Sequence, residues 1–115
     1  MRTVDFYKTS EGKCPVKEYL KTLNAKDVEK ILYSIDLIEE VDNVPSKFFK
    51  YLEDGIYEVR AGRNGNIFRL LGFFSGGSFV ILTNGFTKKE QKTPRKEIEI
   101  AKKRRKDFLR RKING

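Results

Sequence analysis

Apolar residues in the first half of the chain recur with a helical period, and in the second half they alternate or cluster. Thr3-Val4-Asp5-Phe6-Tyr7 is short and rich in β formers, which predicts a strand. Pro15 suits the first turn of a helix. Val16, Tyr19, Leu20 and Leu23 then follow at helical spacing. Asn24 can end that helix and cap the next. Val28, Ile31, Leu32, Ile35, Ile38 and Val41 carry the 3.6-residue period onward, so an αα-hairpin with one apolar face is expected. Asp42 to Lys47, with Pro45, reads as a connection.

From Phe48 the pattern changes. Ile56-Tyr57-Glu58-Val59-Arg60 alternates apolar and charged residues, and Asn64-Gly65 is a strong two-residue hairpin signal. Asn66–Ser75 is the second strand, Gly76-Gly77 a turn, and Phe79–Phe86 the third strand. Thr93-Pro94 reads as an N-cap followed by proline at the first helical position. The helix it opens runs to about Lys112, with Ile98, Ala101, Phe108 and Leu109 as a thin apolar stripe. The expected architecture is α+β: an N-terminal strand, an αα-hairpin, a three-stranded antiparallel meander and a C-terminal basic helix. The length, 115 residues, predicts one domain over 1–115.

Composition narrows the chemistry. Without His there is no His-based triad, imidazole acid–base pair or His metal ligand. Cys14 is the sole cysteine, so an intrachain disulfide and a Cys-rich zinc site are both ruled out. It reads as a small semi-apolar residue, and a free thiol suits a reducing cytoplasm. Met1–Ser10 has no long apolar stretch, so no signal peptide is expected. Leu70–Thr87 holds 18 residues without a charge, a length at the threshold for a membrane span. Its four glycines and central turn pair predict a buried hairpin instead.

The net charge is +9, and it is placed unevenly. Residues 1–86 hold 12 basic and 12 acidic side chains, whereas residues 87–115 hold 13 and 4. The excess favours an anionic partner, nucleic acid before membrane. A two-residue Asn64-Gly65 turn sets Arg60 opposite Arg69 and Val59 opposite Leu70, with Ala61 opposite Phe68. The apolar set then covers the αα-hairpin, and both arginines share the other face. Like charges directly opposite are unfavourable. A phosphate or carboxylate between the two planar forks would account for them. Alternatively, Glu58, one diagonal step from Arg69, satisfies one arginine and both are surface charges. A two-residue Gly76-Gly77 turn would set Asn84 opposite Arg69, with Phe86 on the same face and Lys88, Lys89 and Lys92 just beyond. Phe86 suits either base stacking or core packing.

The stretches Phe49-Lys50-Tyr51-Leu52-Glu53-Asp54-Gly55-Ile56-Tyr57-Glu58-Val59-Arg60, Phe68-Arg69 and Gly85-Phe86-Thr87-Lys88-Lys89-Glu90-Gln91-Lys92-Thr93-Pro94 resemble the phage-derived HigB-like branch of the RelE/ParE toxin superfamily. The resemblance implies an α+β toxin of a type II toxin–antitoxin pair. It implies ribosome-dependent cleavage of mRNA in the cytoplasm and neutralisation by a small helix-turn-helix antitoxin. Family active residues carried over by motif fall on Arg60, Arg69, Phe86, Lys88, Lys89 and Lys92. Some RelE-type toxins place a catalytic Tyr or His near the C-terminus, whereas no Tyr or His follows Tyr57 here.

In the expected chemistry the RNA 2′-OH attacks the adjacent phosphorus, and fixed cations stabilise the charge that develops. It needs neither metal nor cofactor. Arg60 and Arg69 would hold the scissile phosphate. Lys88, Lys89 and Lys92 would hold flanking phosphates or assist proton transfer, with Glu58 or Tyr57 as alternative bases. Phe86 would stack on a base. Arg95, Lys102, Lys103 and Arg104 would contact RNA, ribosomal RNA included. A ParE-like gyrase inhibitor, a non-catalytic nucleic-acid-binding module and a disarmed toxin-like subunit are the competing readings.

Overall fold

The computed structural model describes residues 1–88 and 92–114. Its elements follow the sequence pattern in order: β1 (Thr3–Phe6), α1 (Pro15–Lys21), α2 (Ala25–Glu40), β2 (Phe49–Glu53), β3 (Ile56–Arg63), β4 (Asn66–Ser75), β5 (Phe79–Lys88) and α3 (Arg95–Asn114). Pro15 opens α1, where a missing N–H costs nothing. The Asn24 side chain accepts a hydrogen bond from the Asp27 N–H at 2.9 Å and so caps α2.

One sheet ordered β1-β5-β4-β3-β2 joins all five strands. β2 to β5 form an antiparallel meander, while β1 joins β5 in parallel. The meander thus has one strand more than the alternation predicts. β2 is short, lies at an edge, and exposes Lys50 and Tyr51 in its centre, which hides it from a hydrophobicity pattern.

The β3–β4 register is the expected one. Asn64 and Gly65 take φ of 53° and 78°, as a primed turn needs, and Arg60 pairs with Arg69, Val59 with Leu70, and Ala61 with Phe68. The β4–β5 register differs. Ser75 pairs with Phe79, so three residues make the turn, and a bulge at Leu71/Gly72 adds a second offset. Phe86, not Asn84, stands opposite Arg69, and Asn84 stands opposite Leu71. Two single-residue offsets cancel in facing, so Asn84 and Phe86 still share the arginine face.

The sheet is covered on both sides. Val59, Ala61, Phe68, Leu70, Val80 and Leu82 pack against Val16, Ile31, Ile35 and Ile38 of α1 and α2. Ile56, Leu71, Phe73 and Ile81 pack against Ile98 and Ala101 of α3. Phe108 also joins that second core, whereas Leu109 is exposed and drops out of the expected stripe. The uncharged 70–87 run is the β4–β5 hairpin. Among the described residues no helix is long and apolar enough to cross a membrane.

α3 begins at Arg95, and the Pro94 carbonyl accepts its first hydrogen bonds. The Thr93 hydroxyl donates to Glu58, so it ties the start of α3 to the sheet and does not serve as the expected cap.

Candidate nucleic-acid interface

The α3 side of the sheet has two halves. One is the apolar core just described. In the other, Glu58 and Arg60 of β3 and Arg69 of β4 lie side by side under the start of α3. Arg69 is fully buried and the Glu58 side chain is 1% exposed, whereas the Arg60 side chain keeps 17%. Arg69 Nη1 donates to both Glu58 carboxylate oxygens at 3.2 Å. Arg60 Nε lies 3.1 Å from Glu58 Oε1. Thr93 Oγ1 accepts from Arg69 Nη1 at 3.3 Å and itself donates to Glu58.

The anion between the two guanidinium groups is therefore the protein's own carboxylate. Without it, two cations would face each other across adjacent strands, one of them in a dry interior where an uncompensated charge is costly. Glu58 pins both arginines, and only Arg60 reaches solvent. Both guanidinium groups lie on the same side of the sheet.

The remaining expected site residues are distributed as follows. Phe86 stands opposite Arg69 and packs partly against the Ile56–Ile98 core. Lys88 pairs with Ile67 at the end of β5 and faces the same way as Arg69 and Phe86. Lys92 is exposed and shares a cleft of about 230 Å³ with Lys50, Glu58 and Thr93. The expectation for Lys89 falls outside the described residues. Arg60, Phe86, Lys88 and Lys92 thus gather around the buried Glu58–Arg69 pair. Tyr57 does not join them. It stacks on Phe49 at 5.0 Å and meets Phe74 edge-on, on the αα-hairpin side of the sheet. That placement removes it as a base for this site.

Lys50 is a residue the sequence reading missed. Its register opposite Glu58 puts it on the arginine side, and it is exposed. The signal was the alternation of Phe49, Lys50, Tyr51 and Leu52, which is weak at this length.

The cations expected along α3 divide into groups. Arg95 bonds Glu53 and, at 2.7 Å, Glu99. Lys102 Nζ lies 2.8 Å from Glu53 and 3.0 Å from Asp54. Hydrogen bonds from Arg95 first, then Lys102, hold the Glu53 carboxyl down to about 2. The same bonds raise both cations. Arg105 donates to the Asp54 carbonyl, which completes a clamp between α3 and the β2–β3 turn. Arg104 Nη1 donates to the Thr83 carbonyl at 2.8 Å. Lys103 is exposed and has no hydrogen bond or ion pair with a described residue. Arg95 and Lys102, both expected to contact RNA, are thus already paired with carboxylates.

The family model described as "Phage derived protein Gp49-like (DUF891)" matches residues 18–106, from within α1 to the middle of α3. The match spans every strand of the meander and both arginines. No curated protein matches the chain. The chain belongs to the Gp49-like family of phage-derived proteins.

Proposed function

We propose that this chain is the toxin of a type II toxin–antitoxin pair, cutting mRNA on the ribosome without a metal and so halting translation in the cytoplasm. Membership of the Gp49-like family supports a phage-derived, toxin-like protein. The resemblance of the 52–60 and 85–94 blocks to HigB-like toxins supports the RNase reading. The observation that carries it is Arg60, a partly exposed guanidinium oriented at 3.1 Å by a buried carboxylate beside exposed Lys50 and Lys92.

In this reading the substrate phosphodiester sits over Arg60, with Lys50, Lys88, Lys89 and Lys92 on the flanking phosphates. The 2′-oxygen attacks phosphorus and loses its proton, and the bond to the 5′-oxygen breaks. The leaving 5′-oxygen takes up a proton, and the products are a 2′,3′-cyclic phosphate and a 5′-hydroxyl. Arg60 stabilises the charge that builds on the non-bridging oxygens. Its geometry is set before substrate arrives, because Glu58 is itself held by Arg69 and Thr93. Arg69 is a positioning residue. The exposed part of Phe86 borders the path of a neighbouring base. The partner that silences the site is a helix-turn-helix antitoxin.

The test is translation in a purified ribosome system with end-labelled mRNA. Cleavage that requires ribosomes and leaves 2′,3′-cyclic phosphate and 5′-hydroxyl ends, the signature of attack by the 2′-oxygen, is the expected result. Intact mRNA together with inhibited gyrase supercoiling would overturn the reading in favour of a gyrase-directed toxin.

A further inference from the structure

The α3 cations that escape the clamp line a separate groove. Lys103, Arg104, Lys106 and Arg110 form one wall of a cleft of about 580 Å³, and Tyr7, Thr9 and Ser10 after β1 form the other. The walls are tied together. The Tyr7 hydroxyl donates to Asp107 Oδ2 at 2.6 Å, and the Arg111 guanidinium lies 5.4 Å from the Tyr7 ring centre. Arg111 also donates to the Lys8 carbonyl. Asp107 is the one acid among the lining residues, and bonds from Tyr7, Arg111 and Arg110 neutralise it. Lys103 and Lys106 are exposed, with no hydrogen bond or ion pair to any described residue.

Lys103, Lys106 and Arg110 fall at i, i+3 and i+7, a single stripe of about 10 Å along the helix. A nucleic-acid backbone presents regularly repeated negative charges that such a stripe of cations can meet. The groove offers little else. A protein partner would need an apolar centre, yet Tyr7 is buried and Ile100 is only half exposed. A single strand would need open aromatic faces for its bases, yet Arg111 covers the one ring present.

We propose that this groove holds the phosphate backbone of a double-helical nucleic acid, separately from the strand that is cut. The inference stands on the α3 charges and does not depend on the cleavage reading. The Thr9 and Ser10 hydroxyls can meet phosphate oxygens, or the 2′-hydroxyls of an RNA helix.

The test is binding of the full chain to a fluorescent 20-base-pair RNA duplex and to the same sequence as DNA, across a salt series. The double variant Lys103→Glu/Lys106→Glu is compared with Lys17→Glu/Lys21→Glu, which changes net charge equally on exposed positions of α1. The groove variant should weaken duplex binding by at least tenfold and flatten the log–log salt slope by about two. The control should shift affinity less than threefold, and Lys103→Arg/Lys106→Arg should keep it. Whichever duplex binds tighter identifies the source of the phosphates. Equal losses in both charge variants, tighter binding of a single strand, or binding of labelled polyglutamate but of neither duplex would each overturn the proposal.

Discussion

The two sides of the sheet share an apolar core but differ in what β3 and β4 set beside it. Toward α1 and α2, β3 and β4 present Val59, Ala61, Phe68 and Leu70, all buried in one apolar core. Toward α3, the same two strands present Ile56, Leu71 and Phe73 to a second apolar core and, beside it, Glu58, Arg60 and Arg69, with the last fully buried. The first side yields stability simply by removing apolar area from water, on the order of 1.5–3 kcal/mol for each large side chain. The second side accepts a desolvation cost that a hydrophobic replacement would avoid. A fold needs only one such core, so the charged half calls for a reason beyond stability, and an oriented, solvent-reaching Arg60 supplies one.

The comparison breaks most sharply when the central carboxylate is removed. Glu58→Ala takes away the buried carboxylate that Arg69 and Arg60 share and should lose about 3–5 kcal/mol in urea denaturation. Replacing Glu58 and Arg69 together, by Leu and Met, should recover that loss and leave a stable protein. The double variant would then have two apolar sides and no cleavage. A Glu58→Ala protein as stable as wild type would show that the buried ion cluster does not exist as described.

The apolar side gives a smaller effect of another kind. A Cβ at Gly85 would collide with the Tyr19 ring and a Leu70 methyl. Gly85→Ala should therefore lower stability by about 1–3 kcal/mol through overpacking. Cleavage per folded molecule should be retained, measured at a temperature where the variant is folded.

The smallest effect concerns the α3 clamp. The Glu53 carboxyl is held down to about 2 by Arg95 and Lys102. A depressed folded value means its contribution is present above the ordinary value near 4.5 and fades as pH falls toward 2. Thermal midpoints measured from pH 5 to 2 should fall more steeply in wild type than in Glu53→Gln. Parallel curves would mean that the clamp carries no stability.

Much of this was legible because local chemistry dictates it. Asn64-Gly65 demands a primed turn, so the Arg60–Arg69 pair and the facing of Val59 and Leu70 follow from the sequence. The Gly76-Gly77 pair suggests a two-residue turn, yet Ser78 joins it, and a bulge at Leu71/Gly72 is invisible in a hydrophobicity pattern. Facing survived the error because side chains alternate with period two, so Phe86 kept its side while losing its expected partner. The ion pairs were not legible. Lys102 meets Glu53 across 49 residues, and Thr93 meets Glu58 across 35. No spacing rule joins positions so far apart, and a basic helix reads the same whether its charges are paired or open. Glu58 lay in view as a neighbour of Arg69, but its position between both arginines needed the packed sheet.

In the proposed reaction Arg60, aimed by the buried Glu58–Arg69 pair, stabilises the cleaved phosphate. The most direct measurement is single-turnover cleavage of ribosome-bound mRNA by Arg60→Ala and Arg60→Lys, each checked for a cooperative unfolding transition. Both variants are expected to fold, with Ala losing on the order of 100-fold or more in rate and Lys recovering part of it. A folded Arg60→Ala protein that cuts at the wild-type rate would contradict that role for Arg60.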